Sequence, residues 1–248
     1  MAIATYKDLC IHAVDAAALG RFWAGALQLD LQLDDDGGAS LVGPTPRHTV
    51  WINEVPEPVT VKQRVHLDVR AGSVADVVAL GGVVVDAESF PWTVMKDVEG
   101  GELCVFGTRA DRPAGLMEIV VDTSDALRIS TWWAGVLGAE RKDHEHGYSY
   151  LEPVPEAPFE SLVFVPVTEP KAVKNRIHID VTSPDVQLLV DAGARLLRAQ
   201  DEEISWSVLA DPRRQRVLRL RRLTAPDDPA PCDQHRRAEP RVGAVSLA

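Results

Sequence analysis

Polar and apolar residues alternate strictly from Arg64 to Val69, and they do so again from Arg176 to Val181. Alternation of this kind marks a half-buried strand, so Arg, His and Asp share one face while Val, Leu and Ile take the other. The two stretches lie within Val61-Lys62-Gln63-Arg64-Val65-His66-Leu67-Asp68-Val69 and Val173-Lys174-Asn175-Arg176-Ile177-His178-Ile179-Asp180-Val181, which differ only by Gln63 for Asn175 and by swaps among Val, Leu and Ile. They stand about 110 residues apart, which indicates a duplication of the whole chain, not a solenoid of short units.

The flanking pattern repeats with them. Asp8 to Val14 alternates and predicts a strand, and Asp15 caps a helix over Ala16 to Leu27, where Leu19, Phe22, Trp23, Ala26 and Leu27 recur at helical spacing. Short strands follow between Leu29 and Val55, broken by Asp35-Asp36-Gly37-Gly38 and Pro44-Thr45-Pro46 and ending with Thr49 to Ile52. After the strand at Val61 to Val69, a helix over Ser73 to Leu80 stops at Gly81-Gly82. Strands over Val83 to Asp86, Trp92 to Lys96 and Glu102 to Phe106 complete a unit of strand, helix and three strands, seen twice. The order then restarts, with a strand over Met117 to Val121 and a helix over Leu127 to Leu137. Trp132-Trp133-Ala134-Gly135-Val136-Leu137 answers Phe22-Trp23-Ala24-Gly25-Ala26-Leu27, Glu169-Pro170 answers Glu57-Pro58, and Trp206-Ser207-Val208 answers Trp92-Thr93-Val94. The predicted organisation is α+β: one domain over 1–109, a linker over 110–115, a second domain over 116–223 and a tail over 224–248. The tail is Arg- and Pro-rich without apolar periodicity, which predicts disorder.

Composition narrows the partners. With 248 residues and 46% apolar content there is enough chain for two cores. A net charge of −11 argues against nucleic-acid or anionic-membrane surfaces and leaves a small molecule as the expected partner. Cys10, Cys104 and Cys232 are odd in number and lack metal-knuckle spacing, so neither a disulfide framework nor a structural zinc site is expected. The opening residues hold no basic region followed by an apolar run, and no apolar segment approaches the ~18 residues of a membrane span. The expected location is cytoplasmic.

The strand-helix-three-strand unit, the Phe22-Trp23 pair seven residues after Asp15, the Arg-x-His-x-Asp strand and the ending Asp97-x-Glu99-Gly100-x-Glu102-x-Cys104-Val105-Phe106 together resemble the vicinal oxygen chelate superfamily, and within it the glyoxalase-like domains. The resemblance covers residues from about 5 to 212 and implies two tandem domains, each of paired βαβββ modules forming a cupped mixed sheet with helices on its outer face. Metal-bearing members of that superfamily bring ligands from the first, fourth, fifth and eighth strands of one cup, where a divalent ion chelates adjacent substrate oxygens as a Lewis acid. Carried over, these positions fall on Asp8, on Trp51 or Asn53, on His66 and on Cys104, with Glu102 as the alternative at the last. The matching positions of the second copy are Glu118, His178 and Leu218. No hard Glu stands at the eighth-strand position, and His66 is equally readable as a histidine hydrogen-bonded to Asp68 or Arg64 in a polar cup.

The second copy does not end as the first does. After Asp211-Pro212 the chain reads Arg213-Arg214-Gln215-Arg216-Val217-Leu218-Arg219-Leu220-Arg221. Back-translated with legal codons and shifted by one base, this run reads Asp-Gly-Asn-Glu-Phe-Cys-Val-Phe-Gly, the ending that the first copy and the resemblance both require. The hypothesis is a one-base insertion near the codon for Pro212; the alternative is a diverged last strand with a natural tail.

Two functions follow. One is a binding protein that holds a small aromatic or antibiotic-like molecule in the cup, as resistance members of the superfamily do, with Trp51, Arg64 and Trp92 lining the site. The other is a lyase, isomerase or dioxygenase that uses one divalent metal ion on a small oxygenated substrate, with metal ligands Asp8, His66 and Cys104 and with His12 or Glu102 moving the proton. The absent eighth-strand Glu favours binding. Two copies can close onto each other as an internal pseudo-dimer in a monomer, or the chain can form a homodimer.

Overall fold

The computed structural model describes residues 2–35, 37–212 and, as backbone, 216–221. Four βαβββ modules succeed one another. The first is β1 (Thr5–Ala13), α1 (Ala16–Leu27), β2 (Asp30–Leu33), β3 (Ala39–Val42) and β4 (Val50–Glu54), and the second is β5 (Val65–Ala71), α2 (Val74–Ala79), β6 (Val83–Asp86), β7 (Thr93–Lys96) and β8 (Glu102–Gly107). The third is β9 (Gly115–Thr123), α3 (Ala126–Leu137), β10 (Arg141–Asp143), β11 (Ser149–Leu151) and β12 (Ser161–Pro166), and the fourth is β13 (Ile177–Thr182), α4 (Val186–Asp191), β14 (Arg195–Arg198), β15 (Ser207–Ala210) and β16 (Arg216–Arg221). Each helix begins where a short polar side chain accepts from an otherwise unsatisfied backbone N–H: Asp15 from Ala18, Ser73 from Asp76, Asp125 from Arg128 and Asp185 from Gln187. After α2, Gly81 takes a φ of +104°, a conformation that favours glycine, and the chain turns into β6.

The modules pair across the two sequence copies. One eight-stranded sheet has the order β14-β15-β16-β13-β1-β4-β3-β2, and the other has the order β10-β11-β12-β9-β5-β8-β7-β6. The first sheet therefore joins modules one and four, and the second joins modules two and three. Of the two arrangements the sequence left open, each copy closing its own cup or the copies closing onto each other, the sheets take the second. A short connection explains the choice in the second sheet. Ala71 at the end of β5 lies beside Gly107, where β8 ends, while Arg70 lies beside Gly115, where β9 begins. The chain leaving β8 need only pass the end of β5 to enter β9 on its other side. Modules one and four are joined less directly, through antiparallel pairing of β1 with β13, Leu9 opposite Ile179 and Cys10 opposite His178.

The core is continuous between the sheets. Helix α1 packs on β3 and β4 of its own sheet and on β5 and β9 of the other, and α3 packs on β11 and β12 and reaches β1. Trp23 and Trp133, expected as packing residues, are both buried there. Because α1 and α3 cover one face of each sheet, the polar residues of the alternating strands lie on the opposite, cupped face. Among the described residues no helix is long and apolar enough to cross a membrane.

The last strand pairs one residue out of step with its twin. Val69 lies opposite Val105, but Val181 lies opposite Leu220, and Thr93 pairs with Val105 where Ser207 pairs with Leu220. Aligning Asp97 with Asp211 would put Arg219 in the position of Val105, which is buried. The expected disorder of 224–248 lies outside the described residues.

Candidate functional site

The alternation of β5 sends His66 and Asp68 to the cupped face of the second sheet. Their side chains meet, with His66 Nε2 3.4 Å from Asp68 Oδ1. The parallel neighbour β8 places Cys104 beside Asp68, and its Sγ is 3.8 Å from His66 Nε2. From the other repeat, β9 brings Glu118 opposite Asp68, where it accepts from Ser161 Oγ at 2.6 Å. Four polar side chains from both sequence copies thus form the floor of this cup. One wall is aromatic: Trp92 stacks on Phe90 at 5.1 Å and on Phe106 at 5.3 Å between ring centroids. Phe106 follows Cys104 by two residues on β8, so both share the cupped face.

Burial and a crowd of carboxylates set the protonation of this floor. Burial pushes the Cys104 thiol far up, and the charge and hydrogen bond of Asp68 push it further, so the thiol keeps its proton. Burial also raises the Glu118 carboxyl, with the Ser161 hydrogen bond opposing and Asp68 adding to the rise. For His66 burial works against the imidazolium, but the hydrogen bond and charge of Asp68, helped by Asp122 and Glu102, outweigh it and raise its pKa. On the cup floor the His66 imidazole therefore faces the Asp68 carboxylate as an ion pair.

The other sheet carries a second polar cup. Asp8, Cys10 and His12 of β1 face it with Trp51 and Asn53 of β4 and His178 and Asp180 of β13. Asp8 accepts from Trp51 Nε1 at 3.0 Å and pairs with Lys7. Asn53 Nδ2 donates to Cys10 Sγ at 2.7 Å. His178 Nε2 lies 3.5 Å from Asp180 Oδ1, and the His12 and His178 rings are 5.3 Å apart.

The expected residues therefore divide between two places. His66 and Cys104 meet, with Asp68 as their third member, and their ligand atoms lie within 4.8 Å of one another. Asp8 does not join them: β1 stands in the other sheet, which corrects the set of Asp8, His66 and Cys104. His12 and Trp51 are there too, so neither can act on a ligand held at His66. Glu102 is half-buried at the start of β8 and acts on His66 and Cys104 through its charge, outside the group of three. Trp92 stacks on Phe106 of β8, the strand that carries Cys104.

Arg64 stands apart from the His66 group and lines a cavity between the sheets. It stands before β5 begins and donates to the carbonyls of Glu169 and Pro170 at 2.7 and 3.1 Å, while Asp68 belongs to His66. Its twin Arg176 donates to the carbonyls of His12 and Glu57 and to Glu99 Oε2 at 2.7 Å. The two arginines of the repeat thus clasp the segments 55–64 and 167–176, which cross from one sheet to the other and enclose a cavity of about 930 Å³. Phe90, Phe106 and Glu99 were not foreseen. Phe106 was within reach of the sequence, because it lies on the same alternation as Cys104.

Two mixed sheets, each of paired βαβββ modules with a polar cup, define a protein of the vicinal oxygen chelate class. The particular family is fixed by sequence: the family model described as "Glyoxalase-like domain" matches residues 8–106 and again 118–217, and the chain belongs to that family. Among curated proteins none matches. In solved structures the chain is similar to glyoxalase I from Zea mays, at 16% identity over 87% of this chain and 92% of that one with a TM-score of 0.65. It is also similar to a putative dioxygenase from Bacillus subtilis subsp. subtilis str. 168, at 10% identity over 88% and 86% of the two chains with a TM-score of 0.60. At these identities the likeness shows the fold.

Proposed function

We infer that the protein binds a small, planar, oxygen-bearing molecule in the His66 cup. The observation that carries this reading is the pairing, on one sheet face, of an aromatic wall at Phe90, Trp92 and Phe106 with a polar floor at His66, Asp68, Cys104 and Glu118. A planar ring packs on the wall, and its oxygens accept from the His66–Asp68 pair. The Cys104 thiol, kept protonated by burial and by Asp68, is a poor nucleophile, which supports holding over covalent chemistry. Catechol, with adjacent oxygens on a planar ring, is a suitable probe. Tryptophan fluorescence of the full chain titrated with catechol is expected to saturate, and Trp92→Ala is expected to weaken binding by about tenfold or more, as a lost stacking contact implies. Equal affinity in the variant would refute the reading.

A second reading rests on the closeness of the His66, Asp68 and Cys104 ligand atoms, all within 4.8 Å. An imidazole nitrogen, a carboxylate oxygen and a sulfur fit a transition-metal ion. Those three residues would hold it, and it would supply a Lewis acid to adjacent substrate oxygens in a lyase, isomerase or dioxygenase. Metal analysis of purified protein and of Cys104→Ser tests it. Metal bound to the wild type and lost in the variant supports this reading, and equal metal in both removes it.

A further inference from the structure

The cup of the first sheet holds three coordinating side chains that the proposed function does not use. Cys10 and His12 stand two residues apart on β1, and Cys10 lies opposite His178 on β13. Their ligand atoms lie within 4.8 Å of one another, and the residues are 0%, 2% and 4% exposed. We propose that Cys10, His12 and His178 form a site for one zinc-class transition-metal ion, distinct from the His66 cup.

The donor set is soft. Of the carboxylates on this face, Asp8 is held by Trp51 and Lys7 and Asp180 faces His178 Nε2 at 3.5 Å, so two imidazole nitrogens and one thiolate form the donor set, a combination that favours zinc or copper over magnesium or calcium. With metal–sulfur and metal–nitrogen bonds of about 2.3 and 2.0 Å, donors around a tetrahedral ion sit roughly 3.5 Å apart, so closure takes a contraction of about 1 Å. Supporting partners are in place. The Asn53 amide donates to Cys10 Sγ at 2.7 Å, which stabilises a thiolate, and Asp180 stands 3.5 Å from His178 Nε2, where it can orient the imidazole. His12 also lines the cavity between the crossing segments, which gives an ion a route from solvent. Only His178 occupies a strand position from which the superfamily resemblance draws a ligand; Cys10 and His12 lie two and four residues beyond Asp8 on β1.

Co²⁺ alone, titrated into chelator-stripped full-length protein, tests the site, because a cobalt–thiolate bond gives a charge-transfer band in the near ultraviolet. The informative protein is Cys104→Ser/Cys232→Ser, which leaves Cys10 as its one thiol without altering the site. It is expected to bind one equivalent of Co²⁺ with the band present. His12→Gln in that background is expected to lose the band, and Asn53→Ala to weaken cobalt binding about 10- to 100-fold. No band in the wild type, or a band in the wild type that vanishes in the single-thiol protein, overturns the proposal. The second outcome would move the metal to one of the replaced thiols and leave the His66 reading to be judged separately.

Discussion

Glu99 ties the two sheets together, and its removal has a calculable cost. The side chain sits in the turn between β7 and β8 of the second sheet. Its Oε1 accepts from the backbone N–H groups of Val14 and Asp15 at 2.7 and 2.8 Å, where β1 passes into α1, and its Oε2 accepts from Arg176 Nη2 at 2.7 Å. Both charged side chains are largely buried, 13% exposed for Glu99 and 11% for Arg176. Glu99→Ala strips a buried guanidinium of its carboxylate and leaves two backbone donors without their acceptor. Breaking a buried pair from one side costs about 3–5 kcal/mol, and the lower end applies because the arginine keeps the carbonyls of His12 and Glu57. A loss of about 3 kcal/mol corresponds to roughly 6–12 °C in Tm for a chain of this size. Urea unfolding at neutral pH checks it, with a lower midpoint and an unchanged slope. A double-mutant cycle with Arg176→Ala is expected to show coupling above about 1 kcal/mol. A loss below about 1 kcal/mol, or additivity in the cycle, would refute the reasoning.

Three more outcomes can be checked. Burial raises the Asp97 carboxyl above its ordinary value, against hydrogen bonds from Gly101 and Glu99 N–H, so folding takes up a proton there. That stabilisation is present below the ordinary value of about 3.9 and is lost as pH rises through the folded value; the stability of wild type minus Asp97→Asn is therefore expected to fall from about pH 4 upward, and a flat difference contradicts this. Residues 1–110 expressed alone leave the edges of β1 and β5 without β13 and β9, so light scattering with NMR is expected to find a dimer or an unfolded chain, and a folded monomer would falsify the module exchange. A chain rebuilt with Asp-Gly-Asn-Glu-Phe-Cys-Val-Phe-Gly from position 213 is expected to be more stable to urea than the present chain; equal stability, or a gene whose codons cannot be shifted into that ending, would sink the frameshift hypothesis.

Much of this was legible in the residues. The repeated Arg-x-His-x-Asp string, the caps at Asp15 and Asp125 and the helical spacing of Trp23 and Trp133 fixed the modules and their order, because these are local properties of faces and termini. The choice of partner module is not local. Alternation on β5 says that Leu67 and Val69 face a core, but it is satisfied equally by a neighbour from either copy, so the separation of Asp8 from His66 was hidden. The backbone partners of Arg64 were hidden for a related reason. The arginine sits just outside the strand, where alternation no longer fixes direction, and the crossing segment at Glu169 and Pro170 is distant in sequence.

We place the ligand in the cup assembled from both repeats around His66. Backbone amide NMR of the full chain titrated with catechol tests it directly. Shifts are expected to concentrate at His66, Cys104 and Phe106 from one repeat and Glu118 and Val120 from the other. Shifts confined to Cys10, His12 and Trp51, or to the crossing segments 55–64 and 167–176, would contradict it.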